Sequence, residues 1–173
     1  AQRSGLALNL SDPGARLDAE RFHRFVAEAA DASGDAAFGL ALAAQFAVFN
    51  YHLHFAMAAS PDLATATEQL VRYQAFIGGG LDASFERGPT ECELTFLVPE
   101  PNEARWVPTD TMTGSAILAA RSLALRGRLS PVRIESRRPG TEAIRTAYAS
   151  LFGCPVLFGQ PGNRLVFSTE ALA

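Results

Sequence analysis

The sequence predicts an α+β domain in which N-terminal helices pack on a small mixed sheet with interleaved helices. Three observations favour this class. Apolar residues in the first half recur at helical spacing, whereas short runs in the second half alternate between apolar and polar residues as strands do. Further helical segments separate these alternating runs, so we expect helices to cover one face of the sheet.

The composition is that of one folded domain. Of the 173 residues, 48% are hydrophobic and 19% are charged, a balance that suits a packed core and excludes a disordered chain. No apolar run approaches the ~20 residues that a membrane helix needs. No basic start leads into an apolar block, as it does in a secretory signal. We therefore expect a single domain over residues 1–173 and no membrane partner.

The net charge bears on whether the chain binds nucleic acid, and the cysteines bear on the redox state of its compartment. The formal net charge is −3, whereas direct nucleic-acid binding needs clustered lysine and arginine. The nearest cluster, Arg133, Arg137 and Arg138, is interpreted as a solvated strand edge. Cys92 and Cys154 lie in different segments without CxxC spacing, which favours a reducing, cytoplasmic compartment over a disulfide framework.

Helices are predicted for most of the first half. An amphipathic helix follows the Asp12-Pro13-Gly14 turn, because apolar residues recur at Leu17, Phe22, Phe25, Val26 and Ala29 until Gly34 stops the run. Residues 36–46 are apolar on nearly every side, which predicts a buried helix. Residues 49–59 alternate like a strand but contain alanines that suit a helix, and we favour a short helix.

The next helix is predicted to start at Ser60-Pro61. Serine can cap free amides, and proline is preorganised for the first helical position. Apolar residues then step by three and four as far as Ile77, and a glycine triplet follows. Glu68 and Arg72 stand four positions apart, which predicts an ion pair between them on the helix surface.

Five strands are predicted in the second half, at residues 81–85, 92–98, 132–136, 154–158 and 164–167. The first two flank the Gly88-Pro89 turn, which predicts a hairpin with one buried face. In the third strand Arg133 and Glu135 alternate with apolar residues that include Val132, so its charged side is expected to face water.

Two helices are predicted between these strands. After a proline-punctuated connection over residues 99–108, a helix over residues 109–126 carries Met112, Ile117 and Leu123 on its inner side. A shorter helix contains Ile144, Tyr148 and Leu151, and Gly153 stops it.

No catalytic constellation is recognised, and we expect neither an enzyme nor a cofactor. His52 and His54 would share a face of an extended segment and form the best candidate pair for a metal. Structural zinc needs four ligands and the chain has one further histidine, His23, so no metal is expected. Cys154 follows a helix, whose carbonyl end raises a thiol pKa, so a buried structural cysteine is expected.

A cluster of aromatic residues in the first half is the candidate ligand site. Core packing is one interpretation, because aromatic residues at helical spacing are commonly interior. The other is a cavity lined by rings with a few polar groups, as small-molecule pockets require. The predicted ligand-binding residues are Phe46, Phe49, Tyr51, His52, His54, Arg72, Tyr73, Phe76 and Met112.

Three segments resemble a known family when they are taken together. They read ASPDLATATEQLVRYQAFI, VRIESRRP and LFGCPVLFGQPGNRLVFS, and they resemble the effector-binding, arabinose-binding-like domain at the N-terminal end of AraC-type transcriptional regulators. The resemblance covers about residues 6–172. The positions that match the family pattern are Ser60-Pro61, Arg72-Tyr73, residues 132–139, residues 152–156, Phe158-Gly159 and residues 163–167.

The resemblance implies a domain that senses a small-molecule effector and takes part in a homodimer. In that family a separate downstream helix-turn-helix domain contacts DNA. We expect this chain to lack that C-terminal domain, so DNA is a partner only through it, in agreement with the acidic charge. The alternative is an interaction module without an effector, in which the helix over residues 109–126 makes the homodimer. A hydrolase or a metal enzyme is a third alternative.

Overall fold

The structure, a computed structural model, describes residues 18–49, 57–77, 82–97, 106–123 and 129–173, without the side chains of residues 19–20, 46–49 and 74–77. The helices of these ranges are α1 Ala19–Ser33, α2 Phe38–Phe49, α3 Leu63–Ile77, α4 Trp106–Leu123, α5 Glu142–Phe152 and α6 Thr169–Leu172. The strands are β1 Asp82–Arg87, β2 Glu91–Leu97, β3 Arg133–Ser136, β4 Val156–Phe158 and β5 Asn163–Ser168. The predicted α+β class is confirmed.

The five strands form one mixed sheet in the order β1-β2-β5-β3-β4. The β1-β2 hairpin is confirmed, and β2, β5 and β3 continue the sheet in antiparallel pairs. Although residues 159–162 join β4 directly to β5, β4 pairs in parallel with β3 and not with β5. The connection therefore passes over β3, and Gly159 at φ 71° supplies a backbone turn that other residues rarely adopt.

The core lies between one face of the sheet, here called the inner face, and the helices. Alternate residues of β2 and β5 point into it, as the predicted periodicity requires. Among the core residues are Cys92, Leu94, Phe96, Ile117, Ile134, Ile144, Tyr148, Phe152, Leu165 and Phe167. Val132 was assigned to this face but lies before β3 and is 45% exposed.

The helix ends agree with the sequence signals in two places and differ in a third. Gly34 and Gly153 end α1 and α5 in the left-handed conformation, as predicted. The predicted start of α3 at Ser60-Pro61 is wrong by two residues. The Asp62 carboxylate accepts a hydrogen bond from the Thr65 amide at 2.6 Å and caps the helix instead.

The predicted ion pair between Glu68 and Arg72 is also replaced. Glu68 accepts a hydrogen bond from Arg87 Nε of β1 at 2.7 Å, so its charge joins α3 to the sheet. The Arg72 guanidinium lies 5.7 Å from the centroid of the neighbouring Tyr73 ring. Arg87 is held on a strand, so it fixes the Glu68 side chain more firmly than Arg72, one turn along the same helix, would.

Helix α2 packs closely on α4. Thr111 Oγ1 of α4 donates to the Gly39 carbonyl at 2.9 Å, and Ser115 Oγ donates to the Ala43 carbonyl at 3.3 Å. The prediction of a helix buried on nearly every side is wrong, because Ala41 and other residues on the far side of α2 are exposed. The small alanine and glycine residues let α2 approach α4 closely on one face, while the opposite face of α2 stays exposed.

Helix α4 starts earlier than predicted and is covered. It begins at Trp106, so the last residues of the predicted connection, including Pro108, form its first turn. The residues facing α2 and the core are buried, and within residues 106–123 Ser122 is the one exposed position. The second hypothesis expects an exposed helix face within residues 109–126; the described part of that range, residues 109–123, is buried or half-buried except at Ser122.

Arg121 joins α4 to the end of α5. Its guanidinium donates to the carbonyls of Leu129, Leu151 and Phe152 at 2.7 to 2.8 Å. A cation at the last carbonyls of a helix is favourable because these groups lack partners within the helix.

The other face of the sheet, here called the outer face, carries ion pairs. Arg133 Nη1 lies 2.9 Å from Glu91 Oε1, and Arg164 Nη1 lies 3.3 Å from Glu135 Oε2. The predicted solvated strand edge is wrong, because β3 lies between β5 and β4, and the Arg138 side chain just after it is only 15% exposed.

Alanine at Gly39 is expected to destabilise the fold by about 1–3 kcal/mol. A Cβ there would lie 2.5 Å from the Val107 carbonyl oxygen and 2.8 Å from the Asp110 Cβ, so the two helices would have to separate. Denaturant unfolding of Gly39→Ala measures this loss. Gly162→Ala is the matched control, because its Cβ would meet its nearest atom at 3.5 Å. Equal effects of the two substitutions would contradict the close contact of α2 and α4.

Candidate functional site

Three side chains from different elements meet in the interior and form what we call the polar junction: Asp110 of α4, Arg138 after β3 and Tyr148 of α5. Asp110 is fully buried and accepts hydrogen bonds from the Tyr148 hydroxyl at 2.7 Å and from the Arg138 guanidinium. Arg138 Nη2 also donates to the Ala36 carbonyl at 3.0 Å. The junction thus connects the α1-α2 turn, α4, the exit of β3 and α5.

The chain leaving β3 is held so that Arg138 points inward. The Ser136 hydroxyl accepts from the Arg138 amide at 3.2 Å, and Asn163 Oδ1 of β5 accepts from the Arg137 amide at 3.0 Å. These two bonds satisfy backbone amides that the end of the strand leaves without a ladder partner.

Aromatic rings surround the Tyr148 side chain. Its ring centroid lies 5.0 Å from that of Phe152 and 5.3 Å from that of Phe158. The Arg145 guanidinium lies 5.0 Å from the Phe158 centroid. Gly140 is required here, because a Cβ would lie 2.7 Å from the Phe158 ring. Tyr148 and Asp110 are both buried, so water has little access to the hydrogen bond between them.

Burial sets the protonation behaviour of the junction. Loss of solvent raises the pKa of Asp110 to about 6, although Arg138 and the Tyr148 hydroxyl both favour the charged carboxylate. Burial and the nearby Asp110 charge raise the pKa of Tyr148 well above its usual value, so its hydroxyl remains a donor. The junction can therefore hold or release a proton near neutral pH and pair a charge, but it presents no nucleophile.

The outer face of the sheet carries an open groove of about 410 Å³, which we call the sheet-end groove. It lies where β2 ends and β5 begins, and Thr95 and Arg164 are paired across these strands. Its lining residues are Asp82, Thr95, Phe96, Leu97, Arg137, Pro161, Gly162 and Arg164. Its lining combines two arginines, one carboxylate and several apolar groups, a composition that can hold a small polar molecule.

The predicted ligand-binding residues lie in several places. Arg72 and Tyr73 are exposed neighbours on α3, and Tyr73 is 39% exposed. Met112 of α4 is half-buried and packs against the core. Phe46, Phe49 and Phe76 lie in α2 and α3 with side chains outside the described set, and Tyr51, His52 and His54 lie outside the described residues altogether. The aromatic pocket remains a prediction.

The sequence-based prediction missed Asp110 and misplaced Arg138. A usable signal was present for Asp110, which shares one helical face with Val107, Gly114 and Ile117, all of them buried. An acid on such a face implies a buried partner. Arg138 gave no comparable signal, because its partner is 28 residues away in the chain.

The other candidate features are metal-binding groups and the Cys154 thiol. Among the described residues, no three of histidine, cysteine, aspartate and glutamate are grouped closely enough to hold a metal ion. The Cys154 thiol is half-buried, and burial raises its pKa while Arg121 opposes the shift. The pKa of this thiol thus shifts in the predicted direction, while the predicted burial of Cys154 is only partial. None of the described helices has the length and apolar character to cross a membrane.

Comparisons with known proteins point to a single class. The sequence model described as "Arabinose-binding domain of AraC transcription regulator, N-term" matches residues 1–173. A comparison with curated proteins gave no match. The crystal structure of the transcriptional regulator CdpR from Pseudomonas aeruginosa aligns with a TM-score of 0.61 and 19% identity, over 78% of this chain and 44% of that chain. This likeness shows a shared fold, and the chain spans less than half of that regulator's length.

The polar junction should make stability fall as the pH rises from about 4 to about 6. The folded-state pKa of Asp110, about 6, lies above its value of 3.8 without burial, so the folded state binds the proton more tightly in this window. The difference corresponds to about 3 kcal/mol of unfolding free energy. Asp110→Asn, which cannot ionise, is expected to remove this loss.

Urea unfolding across this pH range measures the effect as the difference between wild type and variant. Asp31→Asn, an exposed substitution of the same kind on α1, is the control and should keep the wild-type dependence. Parallel pH curves for wild type and Asp110→Asn would contradict the buried carboxylate as the source.

Proposed function

Because this chain belongs to the family of arabinose-binding domains found at the N-terminus of AraC transcription regulators, we propose that it is the ligand-sensing and dimerisation domain of such a regulator. The observation that carries the proposal is the match of the family over the whole chain. The family is a class of regulatory domain and not a class of enzyme.

The effector site that we propose is the aromatic pocket at residues 46–54 and 72–76. Arg72 and Tyr73 support it, because both are exposed on α3, with a cation beside an aromatic ring. A ligand there could contact apolar rings and a few polar groups, the combination typical of small-molecule sites. Met112 belongs to the predicted set but packs against the core, so it would contribute to the floor at most.

A sensor must bind its effector more tightly in one arrangement than in another. Only such a difference in affinity shifts the equilibrium of a coupled DNA-binding domain, which in this proposal is a helix-turn-helix domain outside residues 1–173. The polar junction suits this requirement, since it holds the α1-α2 turn to α4 and to the exit of β3 through a few directional bonds. A movement of α1 and α2 relative to α4 would change the geometry of those hydrogen bonds.

A thermal-shift screen of small metabolites is expected to find a stabilising ligand. At a ligand concentration of about 100 times Kd, binding adds about 2.7 kcal/mol, which raises Tm by roughly 5–10 °C in a domain of this size. Tyr73→Ala and His52→Ala should abolish the shift while leaving Tm without ligand nearly unchanged. Tyr73 is 39% exposed, so its truncation costs little packing.

Leu157→Ala is the matched control for this screen. Leu157 is a similarly exposed apolar residue, 44% exposed on β4, outside the proposed pocket. An unchanged shift in both Tyr73→Ala and His52→Ala would reject the aromatic pocket. No stabilising ligand in a broad screen would count against sensing and favour the interaction module.

The proposed homodimer predicts a concentration-dependent sedimentation coefficient that approaches the dimer value. Sedimentation velocity over a hundredfold range of protein concentration, about 1 to 100 micromolar, measures it. A strictly monomeric species at the highest concentration would remove both the dimer and the alternative of an interaction module without an effector.

A further inference from the structure

We propose that the polar junction is a pH-dependent switch that controls how firmly the α1-α2 turn, residues 34–37, is held to the rest of the domain. With Asp110 charged, Arg138 stays inward and binds the turn. When Asp110 takes up a proton from solvent, Arg138 turns outward and the turn loses that hydrogen bond. The switch works without an effector, so it goes beyond the proposed function and does not require it.

Arg138 connects the turn to the buried carboxylate. Its Nη1 donates to Asp110 Oδ2, and its Nη2 donates to the Ala36 carbonyl at 3.0 Å. In the described part of the chain, the other hydrogen bonds of residues 34–37 are local and join them to residues 30–41. One guanidinium therefore binds both the carboxylate and the turn.

The charge on Asp110 decides whether Arg138 stays inward. The arginine side chain is only 15% exposed, and a guanidinium remains charged at any pH at which the domain is folded. A mostly buried cation is costly without an opposite charge, so a neutral Asp110 no longer compensates its burial. The exposed part of the side chain gives Arg138 access to water, and an outward turn takes Nη2 away from Ala36.

Few charged groups face Asp110 from the elements packed around it. They are Arg138 from the exit of β3 and the Tyr148 hydroxyl from α5. Helix α2 approaches closely, since a Cβ on Gly39 would lie 2.8 Å from the Asp110 Cβ, but residues 38–49 contain no ionisable side chain. The other charged residues of α5, Glu142 and Arg145, are exposed.

Two further titratable groups lie on the elements that the switch connects. His23 of α1 is buried, and α1 packs on α4. Asp35 belongs to the turn itself, is exposed, and accepts a hydrogen bond from the Ala37 amide at 2.8 Å. Both have to be separated from Asp110 by experiment.

The proton and the turn act on stability in opposite directions. Burial raises the pKa of Asp110 to about 6, so the carboxyl gains its proton as the pH falls through this value. The folded state binds that proton more tightly than the unfolded chain, so the free energy of unfolding rises as the pH falls from about 6 to about 4. A looser turn in a more stable domain distinguishes the switch from general acid unfolding.

Hydrogen exchange at about pH 8 and about pH 5 tests the switch, with each rate expressed as a protection factor against the intrinsic rate at that pH. The reporting amides are those of residues 37, 38, 40 and 41, whose acceptors belong to Asp35 and Ala37 on either side of Ala36. Their protection factors should be at least about tenfold lower at the acidic pH, the effect of one charge-assisted hydrogen bond. Equal protection at the two pH values would overturn the proposal.

Two variants separate the proton from the hydrogen bond to the turn. Asp110→Asn cannot ionise and should leave the turn weakly protected at both pH values. Arg138→Lys keeps the charge but has one nitrogen in place of the fork, so it too should leave the turn weakly protected. Fluorescence of Trp106, the one tryptophan, which lies one turn before Asp110, should still change with pH in Arg138→Lys and should lose that change in Asp110→Asn.

Wild-type pH dependence of the turn in either variant would overturn the switch, and Arg138→Lys alone decides if Asp110→Asn does not fold. His23→Gln and Asp35→Asn are the controls and should keep the wild-type dependence, because Asn retains the oxygen that binds the Ala37 amide. Loss of the dependence in either control, with retention in Asp110→Asn, would assign the proton elsewhere and reject the proposal. No ligand is added, so a failed effector screen leaves this result intact.

Discussion

The buried carboxylate of Asp110 is the constraint on which the arrangement of the other elements depends. A charge with no solvent exposure is costly unless its partners are in place, and here they come from Arg138 after β3 and Tyr148 of α5. Removing one partner of such a pair typically costs about 3–5 kcal/mol. Helix α4, the sheet and α5 must therefore assemble together, because each supplies one member of the junction.

Glycines between α2 and α4 allow the side chains of the polar junction to meet. Gly39 and Gly114 have no side chains between α2 and α4, so the two helix backbones come close enough for Thr111 to bond the Gly39 carbonyl. The turn before α2 is thereby held near the end of β3, where Arg138 bonds the Ala36 carbonyl. The hydrogen bond from Arg138 to the Ala36 carbonyl is directional, so small movements of α2 against α4 would change its length and angle.

The two faces of the sheet serve different purposes. The inner face fills the core with apolar side chains of β2 and β5, and it is stabilised by the removal of apolar surface from water. The outer face keeps ion pairs that are partly exposed, such as Arg164 with Glu135. Exposed pairs of this kind contribute little to stability.

The sequence by itself determined the local features of this protein. Periodicity located the β1-β2 hairpin and the inner faces of the strands, and glycine marked the ends of α1 and α5, because these signals depend on residues a few positions apart. It also carried the motifs by which the family was identified. The aromatic pocket rests on the sequence alone, since few of its side chains are described.

Only the tertiary structure decided the pairings between distant residues. It placed β3 between β4 and β5, gave Glu68 a partner on β1 and turned Arg138 inward to Asp110. The sheet-end groove likewise combines residues from both ends of the sheet's sequence. Such contacts depend on the packing of whole elements against one another, and no short-range spacing along the chain records which elements will meet.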